Sequence, residues 1–353
     1  MQQCDSCGHR EVSYNSCRNR HCPQCQGSQQ AAWFAARSEE LLPVPYFHLV
    51  FTLPHELAPL ALVNPRVVYG LLFRAASETL QQIAADPKHL GARIGGLLVL
   101  HTWGQNLEHH PHLHGIVPGG GISLDGTRWI HSRPNFFLPV KVLSRVFRGK
   151  FLAGLRQAWQ HGELKFPGRV RLLAAPQEWT TLCRSLAGKE WVVYSKPPFG
   201  GPSQVLKYLA RYTHRVALSN DRLLRLKDGR VTFTWKNYAR GGQRQQMTLS
   251  AVEFLRRFLL HVLPRGFVRI RRCGWWTNRH GGRQLTRCRE LLGVTPAIVD
   301  PQTPPASPLA EAVPDPAVGR CPRCKQDAWM ILEHLPRPPR GELVRRVRLF
   351  DTS

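Results

Sequence analysis

Acidic residues are scarce in this sequence: Asp and Glu number 23, against 49 Lys and Arg. Between residues 109 and 220 the only acids are Asp125, Glu163, Glu178 and Glu190, too scattered for an active site built on three carboxylates. No apolar run approaches the roughly 18 residues that span a bilayer. The opening Met1-Gln2-Gln3-Cys4-Asp5 lacks the apolar core of a secretory signal, which places the protein in the cytoplasm. There is no internal repeat.

What is present is charge and sulfur. The formal net charge of +26 calls for a polyanionic partner. No basic amphipathic helix suited to a membrane surface accompanies it, so nucleic acid is the reading. Ten cysteines in a cytosolic chain are not expected to pair as disulfides. Their spacing carries the information: Cys4, Cys7, Cys22 and Cys25 lie at one end, Cys321 and Cys324 at the other.

Helical spacing marks residues 28–42, 64–85 and 137–160. Strand patterns run from Tyr46 to Leu53, Gly95 to Trp103, His112 to Val117 and Trp191 to Tyr194, the second and third as a hairpin. Leu223–Leu226 and Val231–Trp235 flank Lys227-Asp228-Gly229-Arg230, a second hairpin signal. Strands and helices mix without βαβ alternation, which predicts an α+β fold around an antiparallel sheet. Seven prolines between residues 296 and 318 mark a linker. The expected order is a zinc-binding domain (1–27), a catalytic domain (28–220), a basic DNA-binding extension (221–295), the linker (296–318) and a basic tail (319–353).

Cys4-x2-Cys7 and Cys22-x2-Cys25 are two short knuckles of the kind that hold tetrahedral Zn²⁺. His9, Cys17 and His21 are spare candidates. With no acid or base beside it, such a site is structural, ordering a lobe that carries Arg10, Arg18 and Arg20.

His112 and His114 flank Leu113. On a strand both imidazoles share one face, which makes two thirds of a metal site. Gln105 or Glu108 on the preceding turn, or His101 on the paired strand, could complete it. His109 and His110 read as a histidine-rich loop.

In Ser203–Val216, Lys207, Tyr208, Arg211, Tyr212, His214 and Arg215 crowd one short helix. Tyr208 and Tyr212, four apart, stack on one face. Taken alone, Val205, Tyr208, Leu209 and Tyr212 form an ordinary apolar stripe. Chemistry gives a second reading. A tyrosine can attack a phosphodiester and hold one DNA end as an ester, if cations or a metal favour its phenolate. Two tyrosines allow two successive strand transfers, and a histidine-bound metal polarises the phosphate. Arg265 to Arg289 adds a basic run, including Arg271, Arg272 and Arg279, with Trp275 and Trp276 between. Its arginines suit phosphates; its tryptophans suit either bases or a core.

The segments Asn15-Ser-Cys-Arg-Asn-Arg-His-Cys-Pro-Gln-Cys25, His110-Pro-His-Leu-His-Gly-Ile-Val-Pro-Gly-Gly-Gly121 and Tyr208-Leu-Ala-Arg-Tyr-Thr-His-Arg-Val216 resemble the two-tyrosine HUH transposases of rolling-circle insertion sequences, the IS-ninety-one type. The resemblance runs from residue 4 to about 293. It implies an HUH endonuclease fold, with the histidine strand in a central antiparallel sheet and the tyrosine helix beside it. It implies cleavage and joining of single-stranded DNA at element ends and target in the bacterial nucleoid, through 5′-phosphotyrosine, with Mg²⁺ or Mn²⁺ and without ATP. Tyr208 and Tyr212 match the nucleophiles, His112 and His114 the metal ligands, and Gln105 the third ligand. Lys207, Arg211 and Arg215 would hold the phosphate. Two other readings remain at this point: a replication initiator or relaxase with the same chemistry, or a zinc-dependent DNA-binding protein without catalysis.

Overall fold

The computed structural model describes residues 2–11, 27–196, 204, 206, 217–219, 222–237, 241–277, 281–294, 321, 323, 324, 326 and 329–332. The chain forms two compact units, residues 1–19 with 307–353, and residues 20–306.

In the first unit, β1 (Gln2–Cys4) is the middle strand of three. Antiparallel partners flank it: β2 (Arg10–Glu11) on one edge, β14 (Trp329–Ile331) on the other. Gln3 faces Arg10 across one ladder and Met330 across the other. The turn from β1 to β2 bends at Gly8, whose φ of 70° suits glycine. The tail expected to stand alone at 319–353 thus supplies a strand to the sheet of the cysteine-rich segment.

The second unit opens with α1 (Gly27–Ser38), β3 (Tyr46–Thr52), α2 (Ala58–Val63) and α3 (Pro65–Ala85). Next come β4 (Ala92–Arg93), β5 (Gly95–Trp103), β6 (His109–Pro118), β7 (Gly120–Ser123) and β8 (Trp129–His131). Then follow α4 (Val140–Gln160), α5 (Pro176–Gly188), β9 (Val193–Lys196), β10 (Leu223–Lys227), β11 (Arg230–Asn237) and β12 (Gln243–Ser250). The last described elements of this unit are α6 (Ala251–Leu259), β13 (Ile270–Gly274) and α7 (Gly281–Leu291).

Five strands make the central sheet, in the order β13-β5-β6-β3-β9, every pair antiparallel. Alternation decides its two faces. Leu49, Phe51, Leu98, Leu100, Leu113 and Val117 point into the main core with Leu72 and Leu80 of α3 and Phe147 and Phe151 of α4. Both phenylalanines are fully buried; truncating either to Ala should cost about 3–5 kcal/mol. The opposite face packs Tyr46, Val99 and Ile116 into a second cluster with Leu206, Trp275, Trp276, Leu285 and Cys288.

The edge strand β13 comes from the stretch expected to be a basic extension, so the central sheet reaches past residue 220. Its arginines are engaged internally. The Arg271 guanidinium lies 4.3 Å from the Phe73 ring centroid. Arg272 pairs with both Glu40 oxygens at 2.8 and 3.0 Å, and Trp276 Nε1 donates to the same carboxylate at 3.0 Å. At the end of β13, Gly274 has a φ of 61°, and a Cβ there would run into the Ile94 carbonyl.

A second sheet, β10-β11-β12, carries α6 on it. Ser250 caps that helix by accepting from the Glu253 amide at 3.2 Å. Phe233 joins Trp103, Leu107, Ala217 and Leu218 in a third cluster, against which Phe254 and Phe258 pack. Among the described residues no helix is long and apolar enough to cross a membrane.

Candidate metal centre and its flanks

The hairpin of β5 and β6 sets His101 opposite His112 and Val99 opposite His114. His112 and His114 alternate with Leu113, which is buried in the main core, so their rings emerge on the far face. The neighbouring strand places Val50 opposite His114 and His48 opposite Ile116, which brings a fourth imidazole to that face. His101, His112 and His114 offer ring nitrogens that all lie within 4.8 Å of one another. His112 Nε2 and His114 Nε2 are 3.1 Å apart.

Backbone and neighbours fix how these rings present themselves. His112 Nδ1 lies 2.7 Å from the His110 carbonyl, which can only accept, so Nδ1 carries the proton and Nε2 the lone pair. His114 Nδ1 is 2.8 Å from His48 Nε2. When His114 Nδ1 donates to His48, its own Nε2 lone pair also turns inward. That is the outer-shell bonding that orients histidine ligands toward a cation.

Burial keeps the group uncharged. His101 is 2% exposed and His114 8% exposed. Desolvation drives the pKa of both well below the ordinary histidine value, with the neighbouring imidazoles adding to it. Desolvation also lowers His112, to about 4, and lowers His48. In that tautomer the two inward lone pairs, 3.1 Å apart, repel, and a divalent cation between them removes the repulsion. Three neutral imidazoles on paired strands therefore fit a metal with open positions.

His101, one of the three candidates for third ligand, brings a ring nitrogen to within 4.8 Å of the pair. Gln105 sits on the turn between β5 and β6, where its carbonyl accepts from Arg222 Nη2 at 2.5 Å.

Tyr208, Tyr212, Lys207, Arg211 and Arg215 lie outside the described residues, as does Arg279. The flanks of the tyrosine segment are described. Leu206, fully buried, packs in the cluster of Val99 and Ile116, on the histidine face. Ala217 and Leu218 pack with Trp103 and Leu107, at the far end of β5 and on the turn beyond it. Arg222 fastens that exit: Nη1 donates to the Ala217 carbonyl at 3.3 Å and Nε to the Thr234 carbonyl at 2.8 Å, beside the bond to Gln105.

Cys4 and Cys7 meet Cys321 and Cys324 in a four-thiol cluster. Cys22 and Cys25 are outside the described residues. Sequence reasoning passed over His48, because an isolated histidine within an apolar strand carries no spacing signal. It also passed over Arg222, whose role depends on a contact with the backbone of Gln105, 117 positions away.

Comparison with known proteins gives these features a family. The family model described as "Putative transposase" matches residues 95–283, and the one described as "Transposase zinc-binding domain" matches residues 1–53. The chain is 52% identical over 335 residues to "Putative transposase y4qJ" of Sinorhizobium fredii, covering 94% of this chain and 84% of that one. It is 30% identical over 328 residues to the transposase for insertion sequence element IS801 of Pseudomonas savastanoi pv. phaseolicola, covering 90% and 75%. Among solved structures, TrwC complexed with a 27-mer DNA aligns with 47% of this chain and 71% of its own at 14% identity, with a TM-score of 0.24. By its two matched domains and its relatives, the chain belongs to the IS91-type transposases, with the zinc-binding domain at its N-terminal end.

Proposed function

We propose that this transposase cuts and rejoins single-stranded DNA at element ends and target during rolling-circle transposition, with Tyr208 and Tyr212 as nucleophiles. The observation that carries the reading is the bracketing of the tyrosine segment. Leu206 is packed on the histidine face beside Val99 and Ile116, and Ala217 is packed at the end of β5. The ten residues between these anchors hold both tyrosines, and His101 lies between Val99 and Trp103 on the same strand.

His101, His112 and His114 would hold a divalent cation, Mg²⁺ or Mn²⁺, which supplies charge to the scissile phosphate when bound. The protein's residues do the rest. A tyrosine oxygen gives up its proton and bonds to phosphorus; the bond from phosphorus to the 3′ oxygen breaks, and that oxygen leaves as a hydroxyl after taking a proton. The 5′ end stays on the protein as an ester. Attack by another 3′-hydroxyl reverses the step and joins strands, so no ATP is consumed. Lys207, Arg211 and Arg215 hold the phosphate and favour the phenolate. The work is done on DNA in the cytoplasm.

The test is a denaturing gel of the protein with 5′- and 3′-labelled single strands bearing an element end, followed by peptide mapping. A covalent adduct on Tyr208 or Tyr212, absent from the Tyr208→Phe, Tyr212→Phe double variant, is expected. An adduct persisting in the double variant overturns the tyrosine assignment. Tight DNA binding without any adduct would favour a binding protein without catalysis.

A further inference from the structure

The described cysteine sulfur atoms of the first unit are arranged in pairs. Cys4 Sγ is 3.5 Å from Cys324 Sγ, and Cys7 Sγ is 3.4 Å from Cys321 Sγ, across 320 and 314 positions of sequence. All four Sγ atoms lie within 4.8 Å of one another. A disulfide needs sulfurs about 2.05 Å apart, so these are thiols in contact, not bonds. Four thiolates at about 2.3 Å from a tetrahedral zinc stand about 3.8 Å from each other. The observed cluster matches that spacing.

The backbone makes the same statement twice. The Cys4 amide donates to the His9 carbonyl at 2.8 Å, and the Cys321 amide donates to the Gln326 carbonyl at 2.8 Å. Each knuckle therefore closes over five residues in the same way. Strand pairing sets Cys4 opposite Trp329, which locks one knuckle against the other. Cys4 and Cys321 are fully buried, and Cys7 and Cys324 are half-buried.

We propose that Cys4, Cys7, Cys321 and Cys324 hold one structural zinc ion, so that half of the ligand set comes from beyond the Pro-rich stretch 296–318. The site is distinct from the histidine centre, and it does not use the Cys22-x2-Cys25 knuckle. The Cys321-x2-Cys324 knuckle and β14 are then an integral part of the zinc-binding lobe.

The test uses the full reduced protein. N-ethylmaleimide footprinting by mass spectrometry is read before and after a strong chelator, with zinc content measured alongside. Cys4, Cys7, Cys321 and Cys324 should be protected together and become reactive together when zinc is withdrawn. C321S/C324S should hold about one zinc fewer than the parent chain and expose Cys4 and Cys7. C22S/C25S should leave all four protected. Free reactivity of Cys321 and Cys324 in the zinc-loaded parent protein overturns the proposal, as does protection of Cys4 and Cys7 persisting in C321S/C324S. The parent footprint needs no variant, so a variant that misfolds does not blunt the result.

Discussion

His48 Nε2 lies 2.8 Å from His114 Nδ1, with the two ring planes only 1° apart. The bond ties β3 to β6 and sets which nitrogen of His114 faces the centre. His48 is thus a positioning residue. His48→Phe keeps an aromatic ring and removes the bond, and outer-shell losses of this kind cost about 10- to 100-fold in metal affinity. Calorimetry with Mn²⁺ checks this, and cleavage should recover at high metal. Unchanged affinity would reduce His48 to packing.

The third ligand separates two variants. His101→Ala should abolish metal-dependent cleavage while leaving DNA binding largely intact, because affinity resides in the basic residues. Gln105→Ala should stay within a few-fold of the parent rate, since the structure uses Gln105 through its backbone carbonyl. The reverse pattern in single-turnover cleavage would return the ligand role to Gln105.

Arg222 joins the exit of the tyrosine segment to the histidine hairpin and to β11. Arg222→Met retains the aliphatic stem and removes three donated bonds. Misplacing a reacting group by about 1 Å can cost roughly 10²-fold. The single-turnover rate should fall by that order while Mn²⁺ affinity holds. A loss of metal affinity instead would mean that the hairpin itself has moved.

The histidine centre also sets a pH dependence for folding. Burial lowers His112 to about 4 and depresses His101 and His114 as well, below the ordinary 6.5. The unfolded chain therefore binds protons first as pH falls. Metal-free stability should be flat above about 6.5 and decline from there toward about 4. Thermal unfolding across that range checks the slope, and His112→Asn should make it shallower.

Much of the centre was legible in the sequence, because a hairpin states its own geometry. In β6 the alternation of His112 and His114 with Leu113 gives the shared face, and apolar β5 gives the partner that carries His101. The place of His101 beside the pair needed the register that sets His101 opposite His112. β13 was hidden for a physical reason. An edge strand needs little apolar surface, and Ile270-Arg271-Arg272-Cys273-Gly274 reads as a basic run, with no signal that Arg271 lies against Phe73 and Arg272 pairs with Glu40. Trp276, equally consistent with stacking on bases, is fully buried. Long-range pairing was also hidden: nothing in Cys321-x2-Cys324 names Cys4 and Cys7 as its complement.

The pairing of β1 with β14 lays Gln3 beside Met330, so the backbone path from residue 3 returns to its own starting point. A protein with such a path tolerates being severed. If a protease site is placed within 296–318 and cut, the piece holding β14 should co-elute with the piece holding β1 on a sizing column. The pieces should part on addition of a chelator and a mild denaturant. With the proposed zinc in place, the two pieces expressed apart should assemble on mixing, to an extent set by zinc concentration.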